Sequence, residues 1–142
     1  MQIKIEYSEN LHFIASARGF SNIHIDEPKS FHGTNLGPSS VEYLLIGIGG
    51  CIGSTFIYCF RKNKIEIENF SIIVDGQLKH IGPKNRLRLI NVDVFIDFKP
   101  KPGQEKEKIE LCKKIYEEHC IVSNSIKAGL PINVKMNLIE EK

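Results

Sequence analysis

The side chains with most chemistry in this 142-residue chain are four cysteines, Cys51, Cys59, Cys112 and Cys120. A thiolate can attack an electrophile, ligate a metal or close a disulfide, and spacing discriminates among these uses. No two of them form the close C-x-x-C pairs of zinc sites, and their number falls short of the density of secreted disulfide scaffolds. Cys51 lies within Gly49-Gly50-Cys51-Ile52-Gly53, where glycines strip away neighbouring side chains and leave the sulfur open to a reagent. Cys59 follows eight residues later. On one helix that is about 12 Å along the axis, too far for a bond whose α-carbons lie within about 7 Å. Cys120 falls in a turn after a second helical stretch, where the backbone is free to approach Cys51. If any two thiols work together, these are the pair. The plainer reading makes all four small buried hydrophobes, and Cys59 and Cys112, each in an apolar helical stripe, are assigned to it.

The histidines add little. His119, beside Cys120, is a candidate base or, with that thiol, a metal ligand, but no third and fourth ligands are spaced to suit and no metal is expected. His12, His24, His32 and His80 are scattered over strands and loops and read as surface residues.

The elements that must position these thiols follow from periodicity. Residues 2–7 and 11–17 alternate apolar with polar, and Ser21, Ile23 and Ile25 suggest a third short strand, giving a small antiparallel meander. Residues 26–38 carry two Pro, two Gly, Thr34 and Asn35 and mark a long loop. From Ser39 to about Asn63 the chain is too long and too continuously apolar for a strand, and Ser39 followed by Glu42 is a capping-box start, so a helix of about six turns is expected. Two strand-like stretches, 65–80 and 86–98, flank turn residues 81–85. Ile65 and Ile67 are out of phase with Phe70, Ile72 and Val74, which predicts a bulge near Glu68-Asn69, while Ile90, Val92, Val94, Ile96 and Phe98 are expected on one face. Residues 104–118 form an amphipathic helix with a stripe at Ile109, Cys112, Ile115 and Tyr116. A short helix or turn around 123–128 stops at Gly129, and Ile132, Val134, Met136 and Leu138 alternate as a closing strand. The expected order is βββ-α-ββ-α-(α)-β, an α+β arrangement in one domain spanning 1–142.

Composition narrows the function classes. Apolar residues at 42% and charged residues at 25% are ordinary for a soluble globular chain. A net charge of +2 with no basic run argues against nucleic acid as a partner. The N-terminus alternates rather than showing the basic start and apolar run of a secretory signal, which favours the cytoplasm.

Residues 41–60 meet the length criterion for a transmembrane span. Against that, both flanks are strand-patterned, and Gly47, Gly49, Gly50 and Gly53 would each cost a helix about 0.8–1 kcal/mol relative to alanine. Gly49 and Gly53 share a face with Gly50 beside them, so another backbone can approach there. A helix apolar all round must be buried all round, and one chain of this size has trouble enclosing it. An intertwined homodimer, not a membrane, is expected to do so.

Three segments together resemble a known family. Gly37-Pro38-Ser39-Ser40-Val41-Glu42-Tyr43-Leu44-Leu45, then Gly49-Gly50-Cys51, then His119-Cys120-Ile121-Val122-Ser123-Asn124-Ser125-Ile126 look like the osmotically inducible protein C and organic hydroperoxide resistance (OsmC/Ohr) superfamily. The resemblance implies an OsmC-like α+β fold, with antiparallel sheets wrapped around the long central helices of an intertwined dimer. It also implies thiol-dependent reduction of organic or inorganic hydroperoxides. Carried onto this chain, Cys51 would attack the peroxide and become a sulfenic acid, Cys120 would resolve it as a disulfide, and an external dithiol would restore both, with no bound cofactor.

Cys51 lies about three turns into its helix, beyond the reach of the dipole, so a cation must favour its thiolate. The family's active peroxidases use an arginine of the N-terminal hairpin linked to a helix-start glutamate. Arg18 is the matching candidate, with a solvated turn residue as its plain reading. Glu42 is expected either to orient Arg18 or to cap the helix. The chain departs from the efficient peroxidases at Ile121, where they carry proline, and at Ser16-Ala17, where they carry Gly-Gly; its Val41-Glu42 start is closer to a less characterised branch. The competing expectation is a catalytically silent relative that binds a small apolar or acyl ligand between subunits. Hydroperoxide specificity is expected to depend on the apolar walls of a pocket assembled from two chains, with Phe20, Phe31, Tyr43 and Phe56 as candidate walls.

Overall fold

The three N-terminal strands form because each alternates across its pleat and is joined to the next by a tight turn whose residues accept positive φ. The computed structural model describes residues 1–138 and places β1 at Ile3–Glu9, β2 at His12–Ala17 and β3 at Phe20–Ile25. They pair antiparallel in the order β1-β2-β3. Tyr7 sits opposite Phe13, their rings meeting edge to face at 5.7 Å, and the register slips before Glu9 pairs with His12. Asn10 and Arg18 take left-handed conformations in the two turns, with φ of 49° and 53°.

The loop after β3 is ordered by one buried carboxylate. Asp26 accepts hydrogen bonds from the backbone N–H groups of Glu27 (2.8 Å), Thr34 (3.1 Å) and Leu36 (3.0 Å) and from the Thr34 hydroxyl. The Thr34 hydroxyl does most to bring its pKa down, to about 2; burial opposes this and the backbone donors add to it. A 3-10 turn at Lys29–Phe31 lies inside this loop.

Helix α1 spans Ser40–Lys62 and begins on a reciprocal capping box: the Ser39 N–H donates to Glu42 Oε2 (2.6 Å) and the Glu42 N–H donates to Ser39 Oγ (3.3 Å). Its buried stripe runs Ile48, Ile52, Phe56 and Phe60 at four-residue spacing. The opposite side is open, with Ile46 58% and Tyr58 69% exposed. The expectation that α1 is buried all round is therefore not met within one chain: 33% of its most apolar window is buried. By length and composition alone α1 could also cross a membrane.

Strands β4 (Ile67–Ile81) and β5 (Arg86–Pro100) pair across a turn closed by the Asn85 N–H on the Gly82 carbonyl at 3.0 Å. In β4 Ile67, Phe70, Ile72 and Val74 turn inward while Glu68 and Asn69 are both exposed, so the phase breaks where expected. In β5 the break comes at Ile90-Asn91. Leu87 and Leu89 share the covered side with Val92, Val94, Ile96 and Phe98, and Ile90, expected with them, is exposed. Glycines serve α1 at specific points. A Cβ on Gly49 would lie 2.8 Å from a Val74 methyl, and one on Gly76 would lie 2.8 Å from Leu45, so the helix and β4 approach closely there. Gly50, expected at a close approach, has nothing within 4 Å of such an atom.

The chain divides into two units, Met1–Gly50 with Ile67–Lys99, and Cys51–Glu66 with the residues from Pro100 on. In the second, α2 (Lys106–His119) and a short α3 (Ile121–Lys127) accompany the C-terminal half of α1. The predicted closing strand is absent: residues 130–138 carry no strand, and Ile132, Val134, Met136 and Leu138 are 80–91% exposed. Alternation prescribes two faces, but a strand also needs a neighbour to complete its ladder, and none pairs with this segment among the described residues.

Candidate active site

Cys51 sits half buried on α1 beside Ser54 and Thr55, at a cavity of about 570 Å³ whose other lining includes Tyr58, Ile115, His119 and Ile121. The Thr55 hydroxyl donates to the Cys51 carbonyl at 2.8 Å, one turn back. Cys120 terminates α2 and starts α3 in an extended conformation, fully buried. Its Sγ stands 3.5 Å from Cys51 Sγ and 3.3 Å from Ser123 Oγ. The two thiols that spacing paired across 69 residues are thus in contact, about 1.5 Å beyond bonding distance.

The Cys-x-x-Ser spacing explains the setting of Cys120. A residue at a helix N-cap presents its side chain to the third helical residue, so the Ser123 hydroxyl reaches the sulfur. Burial pushes the Cys120 thiol up, but hydrogen bonding from Ser123, with contributions from Cys51 and Thr55, outweighs it and leaves the pKa below its ordinary value. Asn124 holds the corner: its Nδ2 donates to the Glu117 (3.2 Å) and Glu118 (3.1 Å) carbonyls, closing the end of α2 onto α3.

Of the other expected site residues, Arg18 lies at the exposed β2–β3 turn with its guanidinium 5.3 Å from the Phe20 ring centroid. Glu42 is a helix cap, and the Ser39 N–H and hydroxyl hold its carboxyl below the usual range. Among the described residues no ion pair joins Arg18 to Glu42. Of the candidate pocket walls, Phe31 lines a separate cavity of about 320 Å³ with Val41, Leu45 and Leu87. Phe56 packs on Tyr116 at 5.2 Å, Tyr43 donates to the His24 carbonyl at 2.8 Å, and Phe20 is exposed. No group of three metal-ligating side chains gathers among the described residues.

Two expectations are corrected. Cys59 and Cys112 are buried but not inert: they form a disulfide joining α1 to α2. Each lies in an apolar stripe, as read from periodicity, and because the stripes face each other the sulfurs meet. The Asn63 Nδ2 donates to the Cys59 carbonyl (2.9 Å) and to Cys59 Sγ (3.3 Å). His12 is not a surface residue. It is 4% exposed, with Nε2 2.9 Å from His24 Nδ1 across the β2–β3 pair, because its place on the meander turns it inward. Thr55, Asn63 and Tyr58 had no motif to announce them, whereas the Ser123-Asn124 signal was present as capping chemistry.

The OsmC family model, described as OsmC-like protein, matches residues 33–135. The chain belongs to this family. Solved structures agree on the fold. An OsmC-like protein from Mycoplasma pneumoniae superposes with a TM-score of 0.74 at 20% identity over 98% of this chain and 96% of that one. An organic hydroperoxide resistance protein OsmC from Legionella pneumophila gives 0.63 at 18% identity over 89% and 88%. The organic hydroperoxide resistance protein OhrB of Bacillus subtilis gives 0.60 at 15% identity over 90% of each chain. No curated protein matches the sequence. The OsmC-like α+β architecture of helices with antiparallel sheets is therefore the fold of this chain, and the family includes proteins named for hydroperoxide resistance.

Proposed function

We propose that this OsmC-family chain is a two-cysteine hydroperoxide reductase. The observation that carries the reading is the 3.5 Å contact between a cavity-lining cysteine and a fully buried one whose thiolate is favoured. In this reading Cys51, the more accessible of the two thiols, takes the first step. Its proton passes to the Cys120 thiolate, and the Cys51 sulfur attacks the outer oxygen of ROOH. The O–O bond breaks, the alkoxide takes a proton from solvent and leaves as ROH, and Cys51 becomes a sulfenic acid. Cys120 then attacks the Cys51 sulfur, the S–S bond forms and the hydroxyl departs as water. An external dithiol reduces the bridge and is itself oxidised to a disulfide. In this reading Glu42 holds the helix start, and Arg18 is the proposed source of positive charge for the reaction. Tyr58, Ile115 and Ile121 give the cavity an apolar wall suited to an organic peroxide.

A homodimer completes the scaffold. Exposed Ile3, Ile5 and Tyr7 on β1, Ile46 and Tyr58 on α1 and the alternating C-terminal segment are apolar surface that a second copy would cover. The protein then works as a soluble, cytoplasmic dimer with neither membrane nor nucleic acid as partner.

The test is dithiol-dependent consumption of an organic hydroperoxide. Wild type should be active, Cys51→Ser inactive, and Cys120→Ser should accumulate a sulfenic acid on Cys51 that a dione reagent traps. An inert wild type that dimerises normally would instead point to the ligand-binding alternative, for which the same cavity is the available site.

A further inference from the structure

Cys51 and Cys59 are eight residues apart on α1, and Cys112 and Cys120 are eight residues apart across α2 and its end. The contacts run Cys51 to Cys120, Phe56 to Tyr116 and Cys59 to Cys112. This is an antiparallel ladder whose outer rungs lie about 12 Å apart along each helix. One outer rung is a covalent bond and the other is the thiol pair. Since both helices rise equally per residue, the covalent rung sets the axial register of α2 on α1. A register error of one turn would move Cys120 about 5.4 Å and out of reach of Cys51.

We propose that the Cys59–Cys112 disulfide is a positioning device for the reaction. It fixes α2 on α1 so that Cys120 is delivered to Cys51, and Asn63, donating to Cys59 Sγ at 3.3 Å and lying 3.9 Å from Cys112 Sγ, seats the bridge. The bond is too far from Cys51 to exchange with it directly and takes no electrons from the peroxide. Its role is to raise the effective concentration of one thiol at the other. This rests on the two-cysteine reading only for its kinetic consequence; the positioning itself is measurable without peroxide.

The experiment compares wild type with Cys59→Ala/Cys112→Ala and with Cys59→Val/Cys112→Ala, which refills part of the site should the first variant fold poorly. Peptide mapping of the non-reduced wild type should recover the Cys59–Cys112 pair; its absence overturns the proposal. Each protein is then equilibrated with glutathione and glutathione disulfide, where two protein thiols and one glutathione disulfide give the Cys51–Cys120 bridge and two glutathiones. The effective concentration of that pair should fall about tenfold or more in the double variants. In stopped flow, formation of the Cys51 sulfenic acid should change less than resolution by Cys120. Ile65→Ala, a core truncation that leaves the bridge intact, should move neither quantity, which separates positioning from lost stability. An unchanged effective concentration in both double variants refutes the staple. A reduced effective concentration in a protein that consumes no peroxide upholds the staple and refutes the peroxidase.

Discussion

Breaking the Cys59–Cys112 bond should cost the fold a calculable amount. The bond closes 53 residues of chain, from the end of α1 through β4 and β5 to the middle of α2. In the chain-entropy description, a loop of that length removes about 4 kcal/mol of freedom from the unfolded state at 25 °C. Because the unfolding entropy of a chain of this size is about 0.3 kcal/mol/K, the loss corresponds to a fall of roughly 13 °C in Tm. The clean background is Cys51→Ser/Cys120→Ser, in which this is the sole remaining disulfide-forming pair, so a phosphine reductant acts at one place. Urea unfolding with and without reductant gives the difference, and the slope against urea should rise on reduction as the unfolded chain expands. A shift below about 1 kcal/mol, with the bond present beforehand by mass, would refute the assignment of α1–α2 attachment to this crosslink.

Three further outcomes follow from the site and its supports. Ser123→Ala in a Cys51→Ser background should raise the pH at which Cys120 becomes a thiolate, read from thiolate absorbance against pH; an unchanged midpoint would remove Ser123 from the site. Asp26 has its pKa lowered from 3.8 to about 2, so its contribution is complete above pH 3.8 and disappears as pH falls through about 2. Denaturant titrations at pH 5 and pH 2 should therefore show Asp26→Asn destabilised at the higher pH, with a smaller difference from wild type at the lower, and equal differences would contradict the carboxylate latch. Glu42→Gln should keep the capping box and leave peroxide turnover within about twofold, while Glu42→Ala should lose about 0.5–1 kcal/mol of stability. A large activity loss in Glu42→Gln with normal stability would show that the carboxylate charge, and not the cap, is what the reaction uses.

The local elements were legible because each is written in short-range patterns. The capping box at Ser39 and Glu42, the phase break at Glu68-Asn69 and the stop at Gly129 depend on residues within one or two turns of each other, and all three stand where those patterns place them. The Cys51–Cys120 pair was legible for a different reason: glycines around one sulfur and a chain corner at the other leave few alternatives. What periodicity could not supply was partnership. It put Cys59 and Cys112 each in an apolar stripe without saying that the stripes face one another, although the equal spacing of eight in the two cysteine pairs was the available signal. It put His12 on a strand without saying which face the meander would bury.

By itself, then, the sequence determined the order and kind of elements up to α3 and the helix start, since propensity, capping and local alternation act within a few residues, and it singled out Cys51 and Cys120 as the two thiols free to meet. The tertiary structure alone decided which stripes meet. It made Cys59 and Cys112 a bond, lowered the pKa of Cys120 through Ser123, turned His12 inward and left Ile132 to Leu138 without a strand to join. The physical reason is that a contact between residues far apart in the chain depends on how whole faces dock, and no single face carries the address of its partner.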